Sequence, residues 1–493
     1  MIDHYSKNSS EHQVDVLIIG SGAGGATVGN ELVQAGFGVL IVEEGMSVPA
    51  TEVPSDLSKS FLKMWRMGGM TLAYGTSSVS YAEGCCVGGG TEINSAIFQQ
   101  APEELLNYWS VKYSINNFST KSLELLYQKA AISVNASLTT GEVGAHSEIL
   151  KRAGETQNWA VKSLERGQKN CVGTNHCAIG CPTGAKQSMS TSVLKDFNQH
   201  GGQLISKCHI EKITRSNNKV TGALATLSMD DGTVQNLVIH AKHVFVCGGA
   251  IQTPFLLLKS GFKKGVGHSF KLHPTIRVLA EFNTEVNAIH SRLPLYAVTE
   301  FLPDYRLGGS VFSLPTYGMF LAEDWINRGH MLPSYKNMGM YYAMAKGTGA
   351  GRVRNFPFLK HPLVQYQLSE EDWKNIKAGL YNLSKSLFEY GARKIQPSIV
   401  GMPAWTSVDI MKNSIFSDFP RKNCNLMSIH LFSSVRMGEN TEFSAADSYG
   451  KIHGVDNLYV ADASLIPESP GVNPQATVMA LALRVAHRFI ENV

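Results

Sequence analysis

Two polar residues near the carboxy terminus are of the types needed to oxidise an alcohol. His430 lies in the stretch His430-Leu-Phe-Ser-Ser-Val-Arg-Met-Gly438, and Asn473 lies in Gly471-Val-Asn-Pro474. Alcohol oxidation removes a hydroxyl proton and a hydride from one carbon, and the proton needs a base within roughly 2.6–3.2 Å. Histidine suits that task near neutral pH. An asparagine amide can hydrogen-bond the substrate oxygen. With a nucleotide-binding glycine loop at the other end of the chain, the two residues suggest a base and a donor meeting over a flavin.

The elements that position such a pair begin at the amino terminus. Val14 to Ile19 is a nearly continuous apolar run, as expected of a parallel strand buried on both faces. Gly20-Ser-Gly22-Ala-Gly24-Gly25 follows, and Ala26 to Ala35 reads as a helix. In this pattern Gly20 permits the tight turn, Gly22 lets backbone approach a pyrophosphate, and Gly25 allows helix to pack closely on strand. The helix amino terminus carries roughly +0.5 of an elementary charge toward the anion. A second apolar run, Val39 to Val42, ends at Glu43, about 20 residues after the loop, where an acid accepts ribose hydroxyls. That acid argues against a 2′-phosphate but leaves FAD and NAD open. Further on, Gly88, Gly89 and Gly90 precede Asn94 and Ser95, and a backbone lying against a flat ring system needs residues without Cβ.

Bulk properties fit an enzyme. The 493 residues predict two or three units at about 100 to 200 residues per domain. Hydrophobic residues make up 43% and charged residues 17%, with 46 glycines, a composition that reads as compact and loop-rich. The net charge of +4 is dispersed, without the basic run that tracks a phosphate backbone, so nucleic acid is not an expected partner. Met1 to Gln13 lacks the pattern of a secretory signal, which makes the cytoplasm the default location. No apolar stretch reaches the roughly 18 to 20 residues of a membrane span.

The glycine loop, the segment Val87 to Asn94, the stretch Gly248-Gly-Ala-Ile-Gln-Thr-Pro254 with Leu256 to Gly261, and the carboxy-terminal block resemble the glucose-methanol-choline oxidoreductases, in that family's order. The resemblance implies an α/β fold: a Rossmann-like, doubly wound FAD-binding domain of discontinuous segments, with a substrate domain built on an antiparallel sheet. By analogy the FAD domain takes residues 12–104, 183–275 and 424–493, the substrate domain 276–423, and an insertion at 105–182 caps the flavin. The resemblance implies FAD contacts at Gly20, Gly22, Ala23, Gly24, Gly25, Glu43, Gly88, Gly89, Asn94, Ser95, Ile210, Asp462, Ala463 and Pro474. It also makes His430 the base and Asn473 the group that hydrogen-bonds the substrate oxygen, with hydride passing to flavin N5. Members with covalent FAD carry histidine where this chain has Ile93, so noncovalent FAD is expected. Where the family often has Gly-Thr, this chain has Ser433-Ser434, which puts the backbone beside the base in question.

Eight cysteines without a secretory signal are expected as thiols or metal ligands rather than structural disulfides. Cys171, Cys177 and Cys181 are spaced C-x5-C-x3-C, with proline after the third. Thiolates clustered on a tight loop and followed by proline are familiar from iron-sulfur sites, and three would suit a [3Fe-4S] centre. The loop resembles that of bacterial FAD-dependent sugar dehydrogenases, in which such a cluster relays electrons outward, and also that of long-chain alcohol oxidases, for which a cluster need not follow. A thiol-rich loop without metal, and zinc with His176 as fourth ligand, are the other readings, although neighbours 176 and 177 do not easily share one tetrahedral ion.

Tyr317, Phe320, Trp325, Tyr341, Tyr342 and Trp405 lie in the implied substrate domain, where an aromatic more often builds core than pocket. The apolar character around Leu314 to Ala343 favours an apolar or aromatic alcohol over a sugar. The expected activity is an FAD-dependent alcohol dehydrogenase or oxidase, its acceptor being oxygen, a quinone or a redox protein, with room for a small partner subunit. A non-redox lyase on the same fold, a sugar dehydrogenase with an iron-sulfur relay, and an NAD enzyme or substrate-free flavin module are the competing readings.

Overall fold

A computed structural model describes residues 10–493 except 55, 293, 294 and 418. Two sheets organise it. The first, of seven strands, is mixed. Its parallel core begins with β1 (Glu11–Ile19), whose last four residues are wholly apolar and buried. A helix, α1 (Ala23–Gln34), then returns the chain to β2 (Val39–Val42), parallel to β1 with Val16 opposite Val39. The strand Gln203–Ile205 extends the sheet beyond β2, and Val234–Val246 pairs with β1 on the other side, both parallel. Strands Cys208–Ser216 and Lys219–Ser228 then meander antiparallel against Val234–Val246. Leu458–Val460 returns 212 residues after the end of that long strand to pair parallel with it (458 − 246 = 212).

The second sheet has nine strands and is largely antiparallel. Its centre is Thr275–Phe282, between Met338–Ala345 and Ala392–Pro397. The helix Glu370–Tyr390 packs on Met338–Ala345. Strands Thr71–Ala73, Val79–Tyr81 and Leu426–Ser428 join this second sheet although the sequence analogy grouped them with the nucleotide-binding segments. These crossings bring the far end of the chain against its beginning. Among the described residues no helix is long and apolar enough to cross a membrane.

Candidate active site

The glycine turn is dictated by crowding. A Cβ on Gly20, whose φ is +103°, would stand 2.4 Å from the Cys247 carbonyl oxygen. A Cβ on Gly24 would stand 1.8 Å from the Ala461 oxygen, and on Gly25 1.9 Å from the Gly20 oxygen. Gly22 differs: a Cβ there would meet only the Gly89 Cα, at 3.9 Å, so the space beside it is open. Helix α1 has no side-chain cap and no acid in its first turn, which leaves its leading N–H groups available to an anion. Glu43 is buried at the end of β2. Its carboxylate accepts from Ser21 N (3.0 Å), Ser21 Oγ (2.7 Å) and Gly45 N (2.9 Å), and burial raises its pKa. Ser21 Oγ in turn accepts from Gly88 N at 3.0 Å, tying the triple-glycine segment to the glycine turn.

A cavity of about 550 Å³ runs from this turn to the second sheet. Gly20, Gly22, Ala23, Gly24, Glu43, Gly89, Asn94, Ser95, Ile210, Asp462, Ala463, Pro474, His430 and Asn473 all line it. Gly25 and Gly88 are not on its wall; the first packs α1 on β1, and the second makes a turn at φ +92°. Buried Asp462 accepts from Gly249 N and Ser464 N, both at 2.8 Å, holding the start of the helix Gly249–Lys259 against the cavity. Asn94 donates to Gln475 Oε1 at 2.8 Å. The uncapped helix start, the open space beside Gly22 and the acid at the end of β2 fit a dinucleotide cofactor.

The polar pair sits on the same wall. His430 and Asn473 are buried, and Asn473 Nδ2 lies 3.0 Å from His430 Nε2. Asn473 is not the cap of the carboxy-terminal helix Gln475–Asn492: the cap position is Pro474, and no side chain caps it. Its oxygen instead accepts from Arg306 Nη2 at 2.7 Å, which turns its NH₂ toward the histidine. Arg306 is fully buried and also donates to Tyr342 Oη and Gln99 Oε1. Behind His430 stands His273, its Nδ1 2.9 Å from His430 Nδ1. Burial, and then the Arg306 charge, pushes His430 down to about 3. Arg306 and His273 escaped sequence reasoning because no local spacing marks either one.

Ser433, where the sequence resemblance leads one to expect glycine, takes φ +68°, the left-handed region. Its buried Oγ has no hydrogen-bond partner among the described residues. The backbone beside the base therefore keeps a glycine-like turn despite the side chain. That conformation costs a non-glycine residue about 1–2 kcal/mol, while glycine adds roughly 0.5–1 kcal/mol of unfolded-state entropy. Ser433→Gly is expected to raise stability by up to about 1 kcal/mol in thermal or denaturant unfolding; a loss of stability would contradict the strain.

Of the six aromatic residues singled out, only Tyr342 lines the cavity. Tyr317, Phe320, Tyr341 and Trp405 are fully buried core, and Trp325 is exposed. The apolar lining of the cavity includes Val311, Met319, Met344, Met427, Ile429 and Leu431, alongside the polar Thr275, Arg277, Ser310 and Thr316.

All eight cysteines are free thiols. Cys171, Cys177 and Cys181 line one small void together, yet among the described residues no group of three or more His, Cys, Asp or Glu is placed to hold a metal ion. Arg166 Nη2 donates to Cys177 Sγ at 3.2 Å, and Cys181 Sγ engages Thr183 Oγ1 and Lys186 N. Two of the three sulfurs are thus used by their neighbours, and neither the expected iron-sulfur ligation nor zinc at His176 finds support in the geometry.

A Rossmann-like sheet with a glycine turn, joined to a largely antiparallel second sheet across one long cavity, defines the class of two-sheet dinucleotide-binding proteins. Residues 14–275 and 359–482 match the amino- and carboxy-terminal domains of GMC oxidoreductase, and the chain belongs to that family. A GMC-type oxidoreductase of Sinorhizobium fredii is 46% identical over 489 residues, covering 99% of this chain and 97% of its own. A long-chain-alcohol oxidase of Arabidopsis thaliana is 24% identical over 518 residues, covering 97% of this chain and 68% of its own. The structure of an Aspergillus oryzae formate oxidase, determined to follow FAD modification, superposes with a TM-score of 0.74 at 15% identity, covering 98% of this chain and 99% of that one.

Proposed function

We propose that this chain is an FAD-dependent oxidoreductase acting on the CH–OH group of an apolar alcohol. The observation that carries the reading is the 3.0 Å approach of Asn473 Nδ2 to His430 Nε2 on the wall of the cavity that also holds the glycine turn. Gly22 and the start of α1 would hold the pyrophosphate of FAD, and Glu43 its ribose. Noncovalent FAD, when bound, would supply the hydride acceptor. His430 Nε2 takes the hydroxyl proton, and Asn473, oriented by Arg306, donates to the oxygen left behind. The Arg306 charge, one side chain away, favours that oxygen as an anion. Val311, Met319, Met344, Met427, Ile429 and Leu431 give the cavity wall apolar surface against which the chain of an apolar alcohol can be buried. The cytoplasm remains the proposed location, and the electron acceptor is oxygen, a quinone or a redox protein.

The reading has a pH signature. An imidazole takes a proton only when neutral, and one whose pKa is lowered from 6.5 to about 3 is neutral at any higher pH. The rate of flavin reduction by saturating alcohol is therefore expected to show no acid limb near 6.5, the ordinary histidine value. Stopped-flow reduction across roughly pH 5 to 8 checks this, and a limb centred near 6.5 would refute a buried His430 base. Converting apolar alcohols to their carbonyl products with an artificial acceptor, set against sugars, tests the substrate class; faster oxidation of sugars would sink it.

A further inference from the structure

One face of the second sheet floors the cavity beyond His430. On the strand Thr275–Phe282, Thr275 and Arg277 line the cavity, while Ile276 and Val278 are fully buried on the opposite face. Register sets Met427 beside Thr275 on one side and Met344 beside it on the other, so the floor between the histidine and the arginine carries two methionines. Tyr342 pairs with Arg277 on one side and with Gly308 on the other. A Cβ on Gly308 would stand 2.3 Å from the Tyr342 Cζ, so the ring leans over the glycine and away from the arginine. Four residues, or about 13 Å of extended chain, separate Arg277 from His273, which touches His430.

Arg277 is short of partners. Its Nη2 donates to Glu323, its Nε is buried without a partner, and its guanidinium makes no other hydrogen bond among the described residues. Glu323 is itself shared: its second oxygen accepts from Arg328 Nη1 at 3.1 Å and from Ser398 Oγ at 2.6 Å. Arg328 is fully buried, and the Phe320 ring lies under both guanidiniums, at 5.7 Å and 4.9 Å. Two cations thus share one carboxylate, and positive charge remains. The neighbouring Asp324 uses its carboxylate on the Gly401 N–H, at 2.8 Å, and on the Asn327 amide, at an exposed position. Glu323 stands off the cavity wall, and the carboxylates on that wall, Glu43, Glu44, Glu83 and Asp462, each hold donors of their own.

We propose that Arg277 sets the substrate class by taking the carboxylate of a hydroxy acid. The hydroxyl of that acid lies at His430, and its apolar chain runs between the two residues over Met427 and Met344. A carboxylate supplies acceptors to planar guanidinium donors for which the wall has none. The helix Leu314–Ala322 brings Thr316, Met319 and, at its carboxy-terminal cap, Glu323 to one face, so the element that holds the arginine also lines the cavity beside it.

This inference rests on the alcohol-oxidising reading, and its test separates the two. Straight-chain ω-hydroxy acids of increasing length are compared with their methyl esters, which differ in charge. In the wild type, kcat/KM for the best acid should exceed that for its ester at least about tenfold, the worth of a hydrogen bond to a charged group. The preference should vanish in acids too short to span the two residues. Arg277→Gln should abolish it, and Glu323→Gln, which frees the guanidinium, should strengthen it. Because the ratio is taken within each variant, a general loss of activity does not enter it. Equal rates with acid and ester in the wild type, a preference independent of length, a ratio unchanged in Arg277→Gln or a weaker one in Glu323→Gln would overturn the assignment. Independently of turnover, a straight-chain fatty acid without a hydroxyl should bind the FAD-loaded wild type at least about tenfold more tightly than Arg277→Gln in calorimetry; equal binding would also overturn it. If no alcohol reduces the wild-type flavin while that difference in binding holds, the functional reading fails and the carboxylate site stands.

Discussion

Replacing His430 with alanine is expected to slow alcohol-driven flavin reduction by about 10²- to 10⁴-fold, the usual worth of a positioned base. The bound state should suffer far less. Arg306 still holds Asn473 in place, through a 2.7 Å hydrogen bond that the substitution leaves alone, so the substrate oxygen keeps a donor. The loss should therefore fall on kcat with KM little changed, the mark of an interaction made during the proton transfer. FAD content should equal that of the wild type, because His430 stands at the second-sheet end of the cavity while the glycine turn and Glu43 form the other. Retained turnover in His430→Ala would remove the residue from its role, and loss of FAD would show that it supports the cofactor site instead.

The second large effect is a contrast between neighbours. Gly24→Ala drives a methyl to 1.8 Å from the Ala461 oxygen, a backbone atom with no rotamer to yield. Overpacking of side chains costs about 1–3 kcal/mol and occasionally more. Here α1 must separate from the turn that carries Asp462, so the loss should reach or exceed the top of that range even without cofactor. Gly22→Ala meets nothing nearer than 3.9 Å and should leave the stability of the FAD-free protein nearly unchanged. Its methyl would occupy the space proposed for the pyrophosphate, so FAD affinity should fall by at least about tenfold, or about 1.4 kcal/mol. Unfolding of both apo-variants, with FAD titration, checks the pair. Equal apo-stability for the two would refute the packing account, and unaltered FAD affinity in Gly22→Ala would refute the placement of the phosphates.

What could be read from the sequence was local. β1, the glycine turn, α1, β2 and Glu43 follow one another within 33 residues (43 − 11 + 1 = 33), so their apolar runs and glycine spacing carry the whole unit. The triple-glycine segment and the carboxy-terminal block were legible for the same reason. Asn473 shows what local grammar leaves open. Asn before Pro at a helix start reads as a cap, but a buried arginine 167 residues away takes its oxygen. His273 lies 157 residues from His430 and meets it only because short strand pairs close on both sides. No period or spacing records such a meeting. The aromatic residues of the second half were ambiguous because core and cavity wall ask for the same side chains, and the structure gives most of them to the core. The cysteine loop kept the spacing of a ligand set, while hydrogen bonds from Arg166 and Lys186 draw on two of its sulfurs.

The most direct test of an alcohol-oxidising flavoenzyme is the absorption spectrum of the FAD-loaded protein mixed with an apolar alcohol in the absence of oxygen. The account predicts that the oxidised flavin bands bleach in proportion to alcohol added and that the matching carbonyl compound appears in equal amount. Flavin bands that persist while the alcohol is consumed, or that persist with every alcohol tried, would contradict it.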